Sequence, residues 1–164
     1  MDRLQPAERL SWSRRVILAA LPLGMIHHVD HVLRVDHSGW PFIPEVTPFT
    51  FSFLVYPLLL LAFQTRRPWL RVAVLALLFV TVQSVHTLFE PPTLQYATWA
   101  RGYSTEPWAS GTPNLLNAQS PALGAFSATV AVLLGVALLM ALVLAALEAR
   151  ERSGTRASGP PAGA

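Results

Sequence analysis

The sequence predicts an all-α fold, a four-helix transmembrane bundle with both termini cytoplasmic, and three observations carry that prediction. Of 164 residues, 52% are apolar and only 13% are charged, which is too little polar surface to cover a water-soluble chain of this size. Four apolar runs, about 16–36, 48–64, 69–89 and 121–147, each reach the roughly 17–25 residues that a membrane-spanning helix needs. The chain has no lysine, and ten of its twelve arginines fall on one side of those runs. Basic residues collect on the cytoplasmic side, so that side should hold residues 1–15, the 65–68 turn and residues 148–164. Only Arg34 and Arg101 remain for the opposite side.

The first run begins after Arg14 and Arg15 and is purely apolar only from Val16 to Ile26. A helix that crosses must therefore carry HHVDH within the membrane or at its outer edge. No small-residue cleavage site follows this run, which favours an uncleaved span over a signal peptide. Thr47-Pro48 supplies a capping hydroxyl before a proline for the second run, and Pro68 opens the third in the same way. Pro22 and Pro57 each remove a backbone donor inside their helices and are expected to kink them.

Between the third and fourth runs lies the one long connection, the outer loop 91–119. Its Tyr96, Trp99, Tyr103 and Trp108 suit an interfacial cap over the histidines. The tryptophans read as interface anchors, Trp12 and Trp69 on the inner side and Trp40, Trp99 and Trp108 on the outer. Ser120-Pro121 starts the fourth run. It has no ionisable group before Glu148 and repeats Gly124, Ala128, Ala131, Gly135, Ala137, Ala141 and Ala145. Small residues at helical spacing allow close backbone approach in lipid, so this helix should pack the bundle, a second copy of the chain or a larger membrane complex. It is assigned no chemistry. The Gly, Pro, Ser and Ala-rich end should make 148–164 a disordered tail.

All five histidines lie near one end of these runs: His27, His28, His31 and His37 in HHVDHVLRVDH, and His86 in SVHTLFE. At about 1.5 Å per residue, His28 and His31 lie roughly 20 and 24 Å from Arg15, and His86 lies roughly 22 Å from Arg71. The two groups thus share a layer. Residues three or four apart share a helix face, so His27, Asp30, His31 and Arg34 form one polar stripe and Gln83, His86 and Glu90 another. Facing each other, they would gather ligands for a transition metal such as zinc, iron or copper.

The candidate metal ligands are His27, His28, His31, His86 and Glu90. Asp30, Asp36 or Gln83 would orient a ligating imidazole or contact substrate. Arg34 would pair with Asp30, Glu90 or a lipid headgroup in preference to clamping an anionic substrate. Asp36 and His37 fall past the expected helix end and read as surface residues. Three functions remain open at this point. The first is a membrane metalloprotein, an oxidoreductase or hydrolase acting on a lipid-soluble substrate from the extracytoplasmic side. The second is a haem b electron carrier with His86 opposite His27 or His31. The third is a structural subunit whose polar layer fixes helix pairing.

Other chemistries are excluded. Without cysteine there is no disulfide, thiolate ligand or thiol nucleophile. Ser84 precedes His86 by two residues on one helix and so points away from it, which argues against a serine hydrolase. The basic balance reflects membrane topology, not nucleic-acid binding.

Overall fold

The computed structural model describes residues 11–34, 48–106 and 109–157, and these form an all-helical protein. Helix α1 spans Trp12–Arg34. A 3-10 helix at Pro48–Leu54 leads into α2, Val55–Gln64, followed by α3, Pro68–Leu88, α4, Pro92–Arg101, and α5, Pro121–Ala157. Among the described residues there is no strand, and the one extended pairing is an isolated bridge between Tyr103 and Pro113.

Three helices are long and apolar enough to cross a membrane: Trp12–Arg34, Pro68–Leu88 and the Pro121–Gly154 part of α5. The 48–64 run does not form a fourth of that kind. Pro57 lacks the N–H that would bond back to Phe53, so regular α-helix begins only at Val55, with 3-10 turns before it. At ten residues, α2 is about 15 Å long, half the hydrocarbon thickness. Pro57 thus falls in the first turn of its helix, where a missing donor is tolerated. Pro22 lies inside α1, which continues on both sides of it.

Two of the expected helix starts are present. Pro68 occupies the first turn of α3, and Ser120 Oγ accepts a hydrogen bond from the Leu123 N–H at the start of α5. At the other end, α5 continues beyond 147 to Ala157, through part of the segment expected to be a disordered tail. Glu148, Ala149, Arg150, Glu151 and Arg152 are all good helix formers, and Glu148 is tied to α1. Thr47 and Trp40 lie outside the described residues, as do Trp108 and the end of the chain from 158.

The core joins Ile17 and Ala20 of α1, Leu59 and Ala62 of α2, Val74, Leu75 and Leu78 of α3, and Leu134, Leu138 and Ala141 of α5. The small-residue row of α5 is used within the chain. A Cβ at Gly124 would lie 2.6 Å from the Tyr96 carbonyl oxygen of α4, and one at Gly135 would lie 2.6 Å from Gln83 Oε1 of α3. Outward, α5 exposes Val132, Leu133, Val136, Leu139, Met140 and Val143, side chains suited to lipid. Trp12 and Trp69 are more than half exposed.

A polar knot ties the helices together at the end opposite the histidines. The Ser13 N–H donates to Glu148 Oε1 at 3.0 Å and its hydroxyl to Oε2 at 2.7 Å. Buried Arg71 donates to Glu148 Oε2 at 3.3 Å, to the Ala62 carbonyl at 2.9 Å and to the Thr65 carbonyl at 2.8 Å. A carboxylate from α5 thus caps the N-terminus of α1, where the helix dipole favours negative charge. The start of α1, the α2–α3 turn and the far end of α5 are thereby pinned together. That fixes the register in which α1 and α3 bring their other ends side by side.

Candidate metal centre

His27 and His31 lie one turn apart on the inward face of α1, and His86 faces them from the last turn of α3. His27 Nε2 is 2.9 Å from His31 Nε2 and 3.1 Å from His86 Nε2. His27 and His31 are buried, and the His86 side chain is 11% exposed. One ligand atom from each of the three lies within 4.8 Å of the other two, so this group could hold a metal ion.

Glu90 stands beside this trio. The chain turns after Leu88, with the Glu90 N–H on the Val85 carbonyl at 3.1 Å, and this brings the carboxylate back over the histidines. Its Oε2 is 3.3 Å from His31 Nε2 and 4.0 Å from His86 Nδ1, while Oε1 accepts from Arg34 Nη1. Arg34 is fully buried. It also donates through Nε to Asp30 Oδ2 at 2.8 Å and approaches His31 Nδ1 at 3.3 Å. One guanidinium therefore links both carboxylates to a candidate ligand. The expected pairing of Arg34 with Asp30 and Glu90 is what the structure contains.

Several expected assignments change. His28 is turned away from the trio, because its position is about 100° around the helix from His27. It packs against α2, with Nδ1 2.8 Å from the Tyr56 hydroxyl and 3.1 Å from the Gly24 carbonyl. Asp30 is held by other groups. Beyond Arg34 it accepts from Trp99 Nε1 at 2.8 Å and from Ser127 Oγ at 2.5 Å. Gln83 lies against Gly135, and Gln95 is the amide that reaches the site, 3.3 Å from His86 Nδ1 and 3.4 Å from the Glu90 carbonyl. Asp36 and His37 lie outside the described residues.

Trp99, Gln95 and Ser127 were not among the sequence candidates for this site. Trp99, expected to anchor at the interface, is 2% exposed and belongs to α4, which caps the layer from within the 91–119 connection. Ser127 comes from the helix to which no chemistry was assigned. Its signal is a hydroxyl in the same inward row as Gly124 and Ala131, where a polar side chain in an apolar helix needs a partner.

No family model matches this chain, and neither a curated protein nor a solved structure matches it.

Proposed function

We propose that the chain is a small integral membrane metalloprotein in which Nε2 of His27, His31 and His86 bind one transition-metal ion. The convergence of three imidazole nitrogens from two helices, at 2.9 and 3.1 Å, carries this reading. Around a tetrahedral ion with metal–nitrogen bonds near 2.0 Å, neighbouring nitrogens sit roughly 3.3 Å apart, so the two separations from His27 need to widen only slightly to admit one. Hydrogen bonding serves the trio less well. His27 Nε2 faces two nitrogens but has either one proton to give or one lone pair to share. A cation uses all three lone pairs at once.

Zinc, iron and copper all accept imidazole, and three protein ligands leave a position for water or substrate. When bound, such an ion supplies Lewis acidity or redox cycling, which suits an oxidoreductase or a hydrolase acting on a lipid-soluble substrate. The surrounding residues prepare that position. Arg34 can only donate, so a neutral His31 whose Nδ1 accepts from it keeps its proton on Nε2. For Nε2 to hold an ion that proton would have to move to Nδ1, where Arg34 could no longer donate, so the guanidinium would turn from His31 and stay held by Asp30 and Glu90. Glu90 Oε2, 3.3 Å from His31 Nε2, would serve as the base for water at the open position. Haem b would need two imidazoles on opposite faces of a macrocycle, whereas here three nitrogens crowd toward one point.

Elemental analysis of protein purified in mild detergent, without chelator or affinity metal, should find one metal per chain. Protein stripped of that metal should take up one cobalt ion with a visible absorption band. A wild-type chain that carries no metal and takes up no cobalt would leave the histidines with a purely structural role.

The arginine distribution supports placing the centre on the extracytoplasmic side, with the 48–64 segment completing the bundle as 3-10 turns plus α2. Because the chain lacks cysteine, single-cysteine variants report topology directly. In intact cells a membrane-impermeant maleimide should label Ser110→Cys and spare Arg66→Cys and Ser153→Cys. The opposite pattern would move the centre to the cytoplasmic side.

A further inference from the structure

Between α3 and α5 lies a cleft of about 230 Å³ that reaches His86. Gln83, His86 and Thr87 form its polar side, and Val132, Val136 and Leu139 of α5 form its apolar side. Those three are about half exposed on the outside of the bundle, where a membrane protein meets lipid. No residue that lines the cleft is formally charged. Gly135 keeps it open, because a Cβ there would sit 2.6 Å from Gln83 Oε1 and push the amide out of its groove. His86, whose Nε2 is 3.1 Å from His27 Nε2, is also the most exposed of the trio.

We infer that this cleft is a lateral entrance from the bilayer to the metal centre. Resting on the metal-centre reading, the inference names the class of ligand. It is an uncharged molecule dissolved in the membrane, with a narrow polar head that bears a lone pair and an apolar body. A charged ligand would lose its hydration at an apolar rim with no opposite charge to replace it. The lone pair of a neutral head reaches the ion's open position beside His86, and the Gln83 amide and Thr87 hydroxyl offer it hydrogen bonds. Because 230 Å³ is below the roughly 300–1,000 Å³ of pockets that enclose a whole drug-sized ligand, the body of a longer molecule would remain along Val132, Val136 and Leu139, in lipid.

The test uses the full chain in lipid nanodiscs, loaded with cobalt and titrated with 4-phenylpyridine, a neutral donor that partitions into bilayers. In the wild type the probe should shift the cobalt absorption saturably. Gly135→Leu, which fills the cleft, and Val136→Trp, which covers its mouth from an exposed position, should each bind cobalt stoichiometrically but bind the probe at least ten-fold more weakly. Cobalt-loaded wild type that ignores the probe, or a Val136→Trp variant that binds it as tightly as wild type, overturns the lateral entrance alone. Wild type that takes up no cobalt overturns the metal centre and the entrance together.

Discussion

Replacing His27 by alanine should abolish stoichiometric metal binding, with a loss of affinity beyond about 100-fold, whereas His28→Ala should leave the stoichiometry at one. The two neighbours differ only in facing. His27 Nε2 is the point shared by the trio, 2.9 Å from one partner and 3.1 Å from the other, while the His31 and His86 rings are 6.0 Å apart between centroids. His27 Nδ1 is buried without a hydrogen-bond partner among the described residues, so the polar role of that ring falls on Nε2. His28 is occupied by Tyr56 and Gly24. The scale comes from outer partners: losing a group that merely orients a metal ligand typically costs 10–100-fold in metal affinity. Gln95→Leu, which removes the amide beside His86 Nδ1, should fall in that range, and loss of a ligand should exceed it. Competition against a chelator of known affinity measures all three, with far-UV circular dichroism to show that the helices remain. Metal retained by His27→Ala and lost by His28→Ala would assign the wrong face of α1 to the site.

How much of this could be read from the sequence depends on which quantities are local. Helix rise is fixed at about 1.5 Å per residue, so the common depth of His27, His31 and His86 followed from counting along two apolar runs. The shared face of His27, Asp30, His31 and Arg34 followed from the four-residue spacing. Which of two adjacent histidines turns inward did not, because that depends on how α1 is rotated against α3, and tertiary packing sets the rotation. Trp99 is ambiguous in the sequence for a related reason. An indole at a membrane interface and an indole donating to a buried carboxylate have the same sequence signature. Helix α4 leaves its own traces in the sequence. Pro92 lies in its first turn, and Gly102, with φ of 86°, ends it in the left-handed conformation, which is ordinary helix punctuation. Its modest apolarity hid it, since it is held by burying Gln95, Thr98 and Trp99 and not by an apolar run.

The largest loss of stability should come from Arg34→Met, about 3–5 kcal/mol, the range seen when one partner of a buried ion pair is removed. Arg34 is fully buried between Asp30 and Glu90, which are 6% and 1% exposed. Removing the guanidinium leaves two carboxylates facing each other across the space it filled. The neutral donors around Asp30 cannot replace it. Trp99→Phe, which deletes one of them, should cost about 1.5–3 kcal/mol, as for a hydrogen bond to a charged group. Arg34→Lys should recover little of the loss, because a single ammonium cannot reproduce the fork that reaches Asp30, Glu90 and His31 together. A triple variant, Asp30→Asn, Arg34→Met and Glu90→Gln, should regain much of the stability, since the cost lies in the uncompensated charges and not in the missing contacts. Unfolding in mild detergent, followed by circular dichroism, ranks the four. If Arg34→Met loses less than about 1 kcal/mol, water or lipid headgroups reach the carboxylates. Glu90 would then be too well solvated to serve as the base beside His31.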